Sequence, residues 1–211
     1  FFLNQKTAYE ILSGLVGSEM CIRDRYYTMR FIKVLLIISV LLLPTTTSGN
    51  NIKQIDVFTV QNNEDFVLKI FSCVKMLYTE HPNTYPLEKQ IPFDLIVAMA
   101  AYESAWGTSR FALEGNNLFG IRTWDPLIPQ MKAKQRPNAD WGVRKYETYC
   151  TCIVDYIQIL NNHPAYEEFR KQRSLELNRY GYTNASILAQ FLVAWSELGE
   201  QYTSRLKQII I

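Results

Sequence analysis

A mainly helical α+β domain with a small β lobe is the fold class this sequence predicts, and three observations predict it. Apolar residues recur at helical spacing in several separate stretches of residues 50–211. Between two of them, residues 119–146 carry Pro126, Pro129 and Pro137, which forbid a helix, and short strand-like runs around Ile121 and Val143. No internal repeat or low-complexity linker divides the chain, so its length fits one domain around one core.

The elements follow in order. Residues 1–28 lack any period, and the run 8–25 resembles translated adapter sequence found at the ends of environmental reading frames, so they are set aside as a non-native leader. Met29 then begins a secretory pattern: Arg30 and Lys33, an apolar run over 34–43, Pro44, and small residues through Gly49. That run is shorter than the roughly 20 residues of a membrane span, so residues 29–49 are expected to be a signal peptide and 50–211 the mature domain. Membrane attachment arises only if the signal segment stays uncleaved. Phe66, Ile70, Val74 and Leu77 predict a helix over 64–78, ended by His81-Pro82-Asn83. Pro92 at a first helical position and Asp94 in the first turn predict a second helix reaching about Trp106. Gly115-Asn116-Asn117 is a turn signal leading into the lobe. Helical stripes return with Tyr149, Cys152, Ile153, Tyr156, Ile157 and Leu160, then with Ile187, Leu188, Phe191, Leu192 and Trp195. Past Gly199, Tyr202, Leu206 and Ile209 mark a last helix.

Charge excludes one function class. Without residues 1–49, the 22 Lys and Arg lose five and the 20 Asp and Glu lose three, leaving 17 of each. A neutral domain with no basic stripe is not expected to bind nucleic acid. Three cysteines remain, Cys73, Cys150 and Cys152. Cys150 and Cys152 stand too close on one helix to bridge easily, so Cys73 pairs with either one or all three stay buried thiols. With only His81 and His163 beside them, neither a metal nor an organic cofactor is expected.

The chemistry centres on one carboxylate. At roughly 100° per residue, Leu95, Ile96, Met99, Ala100, Tyr102 and Trp106 fall on one arc of the second helix, and Glu103 falls inside it. An apolar wall disfavours the ionised carboxylate and raises its pKa. A glycosidase needs such a protonated carboxyl to protonate the leaving oxygen. A buried Glu satisfied by a neighbouring Arg or Tyr is the structural alternative.

The surrounding residues bear on that choice. Ala101-Tyr102-Glu103-Ser104-Ala105-Trp106-Gly107-Thr108-Ser109 leads into Gly115-Asn116-Asn117-Leu118-Phe119-Gly120-Ile121-Arg122. Together with Tyr146, His163-Pro164-Ala165-Tyr166 and residues 196–202, this resembles the bacterial glucosaminidase family of flagellar peptidoglycan hydrolases and autolysins, glycoside hydrolase family 73, with its Bax-like branch nearest. The likeness spans about residues 91–211. It implies a lysozyme-like helical domain with a small β-hairpin lobe. It also implies a secreted endo-β-N-acetylglucosaminidase, in the periplasm or cell envelope, that cuts peptidoglycan glycan strands at β-1,4 bonds after N-acetylglucosamine. Glu103 stands at the position of the catalytic acid. Asn116, Asn117 and Phe119 stand where the family shapes the cleft floor, although turn chemistry also explains the Asn pair. Trp106, Trp124, Trp141, Trp195 and Tyr202 are further substrate-binding candidates, each weighed against ordinary packing; Trp195 replaces a Tyr common in that branch.

The second catalytic group is less well marked. Asp125 and Asp140 are the acids between Trp124 and Arg144, and Glu147 lies just beyond. A retaining pair needs carboxyls roughly 5–5.5 Å apart and an inverting pair roughly 6.5–9.5 Å, whereas attack by the substrate's own acetamido oxygen needs neither. Two alternatives stand beside the hydrolase: a lytic transglycosylase, against which the Asn-Asn-Leu-Phe-Gly run argues, and a non-catalytic wall-binding protein. A monomer is the default expectation.

Overall fold

The structure, a computed structural model, describes residues 58–210. The leader 1–28, the signal segment 29–49 and the first residues of the expected mature domain lie outside the described residues.

Helix α1, Asn63–Glu80, begins where the Asn62 side chain accepts a hydrogen bond from the Asp65 N–H at 2.9 Å. Glu64 and Asp65 in its first turn suit the positive end of the helix dipole. Its buried face is Phe66, Ile70, Cys73, Val74 and Leu77, the expected stripe with Cys73 added. A 3-10 turn, Leu87–Lys89, leads to α2, Phe93–Ser104, which Pro92 precedes as the N-cap residue.

Helix α2 is the centre of the molecule. Every residue from Leu95 to Ala101 is buried, because α1 and the two C-terminal helical segments pack around it. A helix apolar on all sides belongs inside a core, and complete burial of Leu95 and Ile96 stabilises the fold by about 2 kcal/mol each. It stops at Ser104, two residues before the expected end.

Short helix α3, Arg110–Gly115, is capped by the Ser109 side chain, which accepts from the Ala112 N–H. The lobe follows as three strands, β1 Arg122–Thr123, β2 Gln130–Met131 and β3 Gly142–Arg144, in the order β1-β3-β2. Both pairings are antiparallel: Arg122 stands opposite Val143, and Met131 faces Val143 from the other side. The expected hairpin is thus a three-stranded sheet. Its β2 escaped the sequence reading because two residues beside Pro129 carry no alternation.

Helix α4, Tyr149–Asn162, opens with a capping box between Thr148 and Thr151 and buries Cys152, Ile153, Tyr156, Ile157 and Leu160 as expected. After the 3-10 turn Pro164–Tyr166 comes α5, Glu167–Tyr180, a helix the periodicity does not reveal. Its inner face is Phe169, Arg173 and Glu176. Arg173 donates to the Asn161 side chain at 2.7 Å, and Glu176 accepts from the Asn184 N–H at 2.6 Å. Helix α6, Ala185–Leu188, runs into a 3-10 segment, Ala189–Trp195, with a kink at Leu192, so the expected single stripe is two pieces. Helix α7, Glu200–Ile209, follows Gly199.

A disulfide joins Cys73 of α1 to Cys150 in the first turn of α4, with Cα atoms 5.7 Å apart. The expectation of three buried thiols holds only for Cys152, which is free and buried. Cys73 and Cys150 face each other across adjacent helices, whereas Cys152 points inward among apolar groups that push its thiol pKa up.

Candidate active site

Glu103 occupies the last turn of α2, and the motif after it is a device for ending that helix. Ala105, Trp106 and Gly107 all have left-handed backbone, with φ of 51°, 56° and 79°. Such conformations cost roughly 1–2 kcal/mol per non-glycine residue and persist where the surroundings over-determine them. Here the Trp106 N–H donates to the Ala101 carbonyl and the Ser109 N–H to the Ser104 carbonyl, both at 2.9 Å. The buried Ser104 hydroxyl donates to the Ala100 carbonyl and accepts from the Gly107 N–H at 2.8 Å. A Cβ on residue 107 would lie 2.6 Å from the Phe58 ring, so glycine is needed for space as well as for φ. The Glu-Ser-x-Trp-Gly pattern therefore turns the chain sharply and leaves Glu103 at the exit.

The Glu103 residue is partly exposed, yet its carboxyl is desolvated by surrounding protein. Burial raises its pKa from 4.5 to about 7; a hydrogen bond from Tyr202 and the positive charge of Arg122 hold it back from rising further. The negative end of the α2 dipole acts in the same direction as burial. The Tyr202 hydroxyl, on the buried face of α7, also stands 2.8 Å from the Met99 sulfur. Arg122 projects from β1 with its guanidinium carbon 3.8 Å over the Trp141 ring, which fixes the cation beside the carboxyl. Arg122 was not among the sequence candidates. Strand alternation could have found it, since Ile121 and Thr123 are buried and Arg122 faces the other way.

Asn116 and Asn117 are buried and engaged mainly with backbone. Asn116, itself left-handed, accepts from the Phe58 N–H at 3.0 Å and donates to the Tyr146 and Glu147 carbonyls at 3.2 and 3.1 Å. Asn117 donates to the Ile121 and Arg144 carbonyls at 2.9 and 2.8 Å, and accepts from the Phe119 and Ile121 N–H groups. The pair staples the lobe to the helices. Asn117→Ala is expected to destabilise the domain by about 3 kcal/mol, because it orphans buried backbone groups; urea denaturation measures this.

The other candidates separate by burial. Phe119 is buried and stacked on Tyr156 with centroids 4.1 Å apart, and Trp195 is buried against Tyr156 and Tyr166. Trp195, expected among the substrate-binding candidates, is a core ring with no exposed surface, and Phe119 lies beneath the turn into the lobe with none either. Tyr202 is buried too, and interacts with Glu103. Trp106 packs its edge on Phe66. Trp124 and Trp141 remain partly exposed on the lobe. Asp125, Asp140 and Glu147 are exposed, and Asp125 closes a turn by accepting from the Leu127 N–H. None of the three figures among the groups acting on Glu103. An apolar groove of about 310 Å³ between α1 and the start of α2, lined by Phe71, Val74, Leu87 and Phe93, carries no carboxylate and lies apart from this site.

Helices packed around one central helix, with a small antiparallel lobe set beside the carboxyl at its end, make a lysozyme-like domain. Residues 83–211 match the Glucosaminidase family model, described as mannosyl-glycoprotein endo-beta-N-acetylglucosaminidase, and the chain belongs to that family. The catalytic domain of the autolysin Auto from Listeria monocytogenes shares the fold, with a TM-score of 0.51 over 72% of this chain and 85% of that one at 20% identity. Protein bax of Escherichia coli K12 is 31% identical over 116 residues, 55% of this chain and 40% of that protein. Peptidoglycan hydrolase FlgJ of Escherichia coli O157:H7 is 28% identical over 98 residues, 41% of this chain and 31% of that protein. The chain thus spans less than half of the length of each of these two relatives.

Proposed function

We propose that this domain is a glycoside hydrolase that cleaves peptidoglycan at the β-1,4 bond after N-acetylglucosamine, with Glu103 as general acid. One observation carries the reading: a desolvated carboxyl with its pKa raised to about 7, held between Tyr202 and Arg122 beside a lobe bearing Trp141. At that pKa a large share of the groups hold a proton near neutral pH and can still release it. Membership of the glucosaminidase family and likeness to a peptidoglycan hydrolase support the substrate class.

The exposed Asp125, Asp140 and Glu147 remain candidates for a second group. Attack by the substrate's 2-acetamido oxygen on C1 needs none of them. Its C–O bond would form as the glycosidic bond breaks and the leaving oxygen takes the Glu103 proton. Water would then open the ring, returning a proton to Glu103. The Cys73–Cys150 disulfide fits action outside the cytoplasm. Among the described residues no helix is long and apolar enough to cross a membrane.

The activity is expected to fall as pH rises through about 7, where Glu103 loses the proton it must donate. A pH–rate profile of muropeptide release, with the new reducing end identified by mass, tests both parts. N-acetylglucosamine at that end supports the reading. A product one water lighter would mark a transglycosylase, and binding without any product a wall-binding protein. That last reading draws on the lack of a second carboxylate among the groups acting on Glu103.

A further inference from the structure

The neutral total of residues 50–211 conceals a division of charge. The lobe, residues 119–146, holds six of the 17 Lys and Arg but only two of the 17 Asp and Glu. It therefore has four positive charges in excess, and the rest of the domain has four negative ones. Arg144 is paired with Asp155 of α4 at 2.9 Å. Three of the others fall together: Lys132, Lys134 and Arg136 alternate along the connection from β2 to β3, and all three are exposed. That connection is tightly built. Ala133 and Arg136 form a β-bridge, in which the Arg136 N–H donates to the Ala133 carbonyl at 3.0 Å. The Lys132 ammonium donates to the Ala139 and Trp141 carbonyls at 2.9 and 2.8 Å. From α3, Arg110 donates to the Lys132 carbonyl at 2.7 Å and adds a fourth cation. Trp141 in turn carries Arg122 over its ring.

Carbonyl acceptors satisfy an ammonium's hydrogen bonds without cancelling its charge. Lys132 and Lys134 make no ion pair among the described residues. Two acids lie nearby. Asp140 is exposed in the same connection, and Glu114 stands 3.5 Å from Arg110 with more than half of its side chain in solvent, a contact of little strength. The cluster thus presents a local positive potential on a domain whose remainder is negative, and such a surface attracts anions and sets their orientation. A reader of a dense phosphate chain neutralises many phosphates along a basic stripe. Four cations with two acids among them suit scattered carboxylates instead.

We propose that Lys132, Lys134 and Arg136, with Arg110 behind them, form a docking surface for the free carboxylates of the peptides that branch from a peptidoglycan glycan strand. The choice of partner rests on the peptidoglycan reading above. The surface recognises the branches of the polymer, which the chemistry at a sugar–sugar bond does not touch. Its contribution is to binding, equal in the ground state and the transition state, so losing it raises KM and leaves kcat unchanged.

The test is co-sedimentation with insoluble peptidoglycan freed of phosphate polymers by hydrofluoric acid, in a Glu103→Gln background that leaves the polymer intact. A second batch has its carboxylates capped as neutral amides by carbodiimide coupling to ethanolamine. Lys134→Gln combined with Arg136→Gln, checked for native folding by thermal denaturation, is expected to weaken binding to the uncapped polymer roughly three- to tenfold at low ionic strength. On the capped polymer it is expected to match the parent. Lys134→Glu should weaken binding more than Lys134→Gln, a difference that lost packing would not produce. Equal binding by parent and double variant, no binding by either, a deficit that survives capping, or binding seen only before the phosphate polymers are removed overturns the proposal. Sedimentation needs no turnover. A wild type that released no muropeptide would defeat the hydrolase reading while the docking surface was still measured.

Discussion

Glu103→Gln is expected to lower peptidoglycan cleavage by about 10²–10⁴-fold, the usual contribution of a positioned acid, while wall binding persists. The amide keeps the shape and can still meet Tyr202, but it has no proton to give to a leaving oxygen. Stability should move the other way. Glu103 titrates at about 7 in the folded domain against 4.5 for an ordinary glutamate. Its raised pKa favours the fold fully below 4.5, and that contribution is lost as pH rises through 7. Above pH 7 the wild type buries a charge that the variant lacks. The variant should then be more stable by about 1–3 kcal/mol, with the two curves converging below pH 4.5. Muropeptide release and urea denaturation at pH 4 and pH 8 measure both effects. A variant that kept most of the activity would remove Glu103 from the acid's role.

Reduction of Cys73–Cys150 is expected to destabilise the domain by about 4 kcal/mol, the chain-entropy value for a loop this long. The bonded residues are 77 positions apart, so breaking the link frees a large part of the unfolded chain. Cys73→Ser and Cys150→Ser should each reproduce the loss and make the protein insensitive to reductant. Cys152→Ser should leave that sensitivity intact, because Cys152 is a free thiol in the core. Denaturation curves with and without reductant decide the matter; a Cys152→Ser protein indifferent to reductant would contradict the pairing.

Periodicity was most informative where a helix buries one apolar face. The α1 and α4 stripes match the buried residues closely. Helix α5 is invisible to the same reasoning because its inner face includes Arg173 and Glu176, whose partners Asn161 and Asn184 come from other segments. The arc placed Glu103 among apolar neighbours, but that alone does not single it out. Since α2 is buried all round, a polar residue on any side of it would have stood against apolar neighbours. What distinguishes Glu103 is its place at the sharp exit of the helix and the approach of Arg122 and Tyr202, which depend on tertiary packing. The Asn pair illustrates the converse. Its turn chemistry was legible, but its bonds to Tyr146, Glu147 and Arg144 reach about 30 residues along the chain. Helical spacing and the resemblance placed Trp195 near the C-terminal helix, but its complete burial against Tyr156 and Tyr166 comes from tertiary packing that spacing does not show.

Closing a covalent ring between positions 73 and 150 has an effect unrelated to folding energy. The ring contains Glu103 and the whole of the lobe, whose tip at Leu127 is 89% exposed. A protease that cut the backbone at that tip would produce two chains still linked through sulfur. A nicked copy would keep both halves tethered, the fragment that carries Glu103 and Arg122 still linked to the one that carries Trp141 and Tyr202.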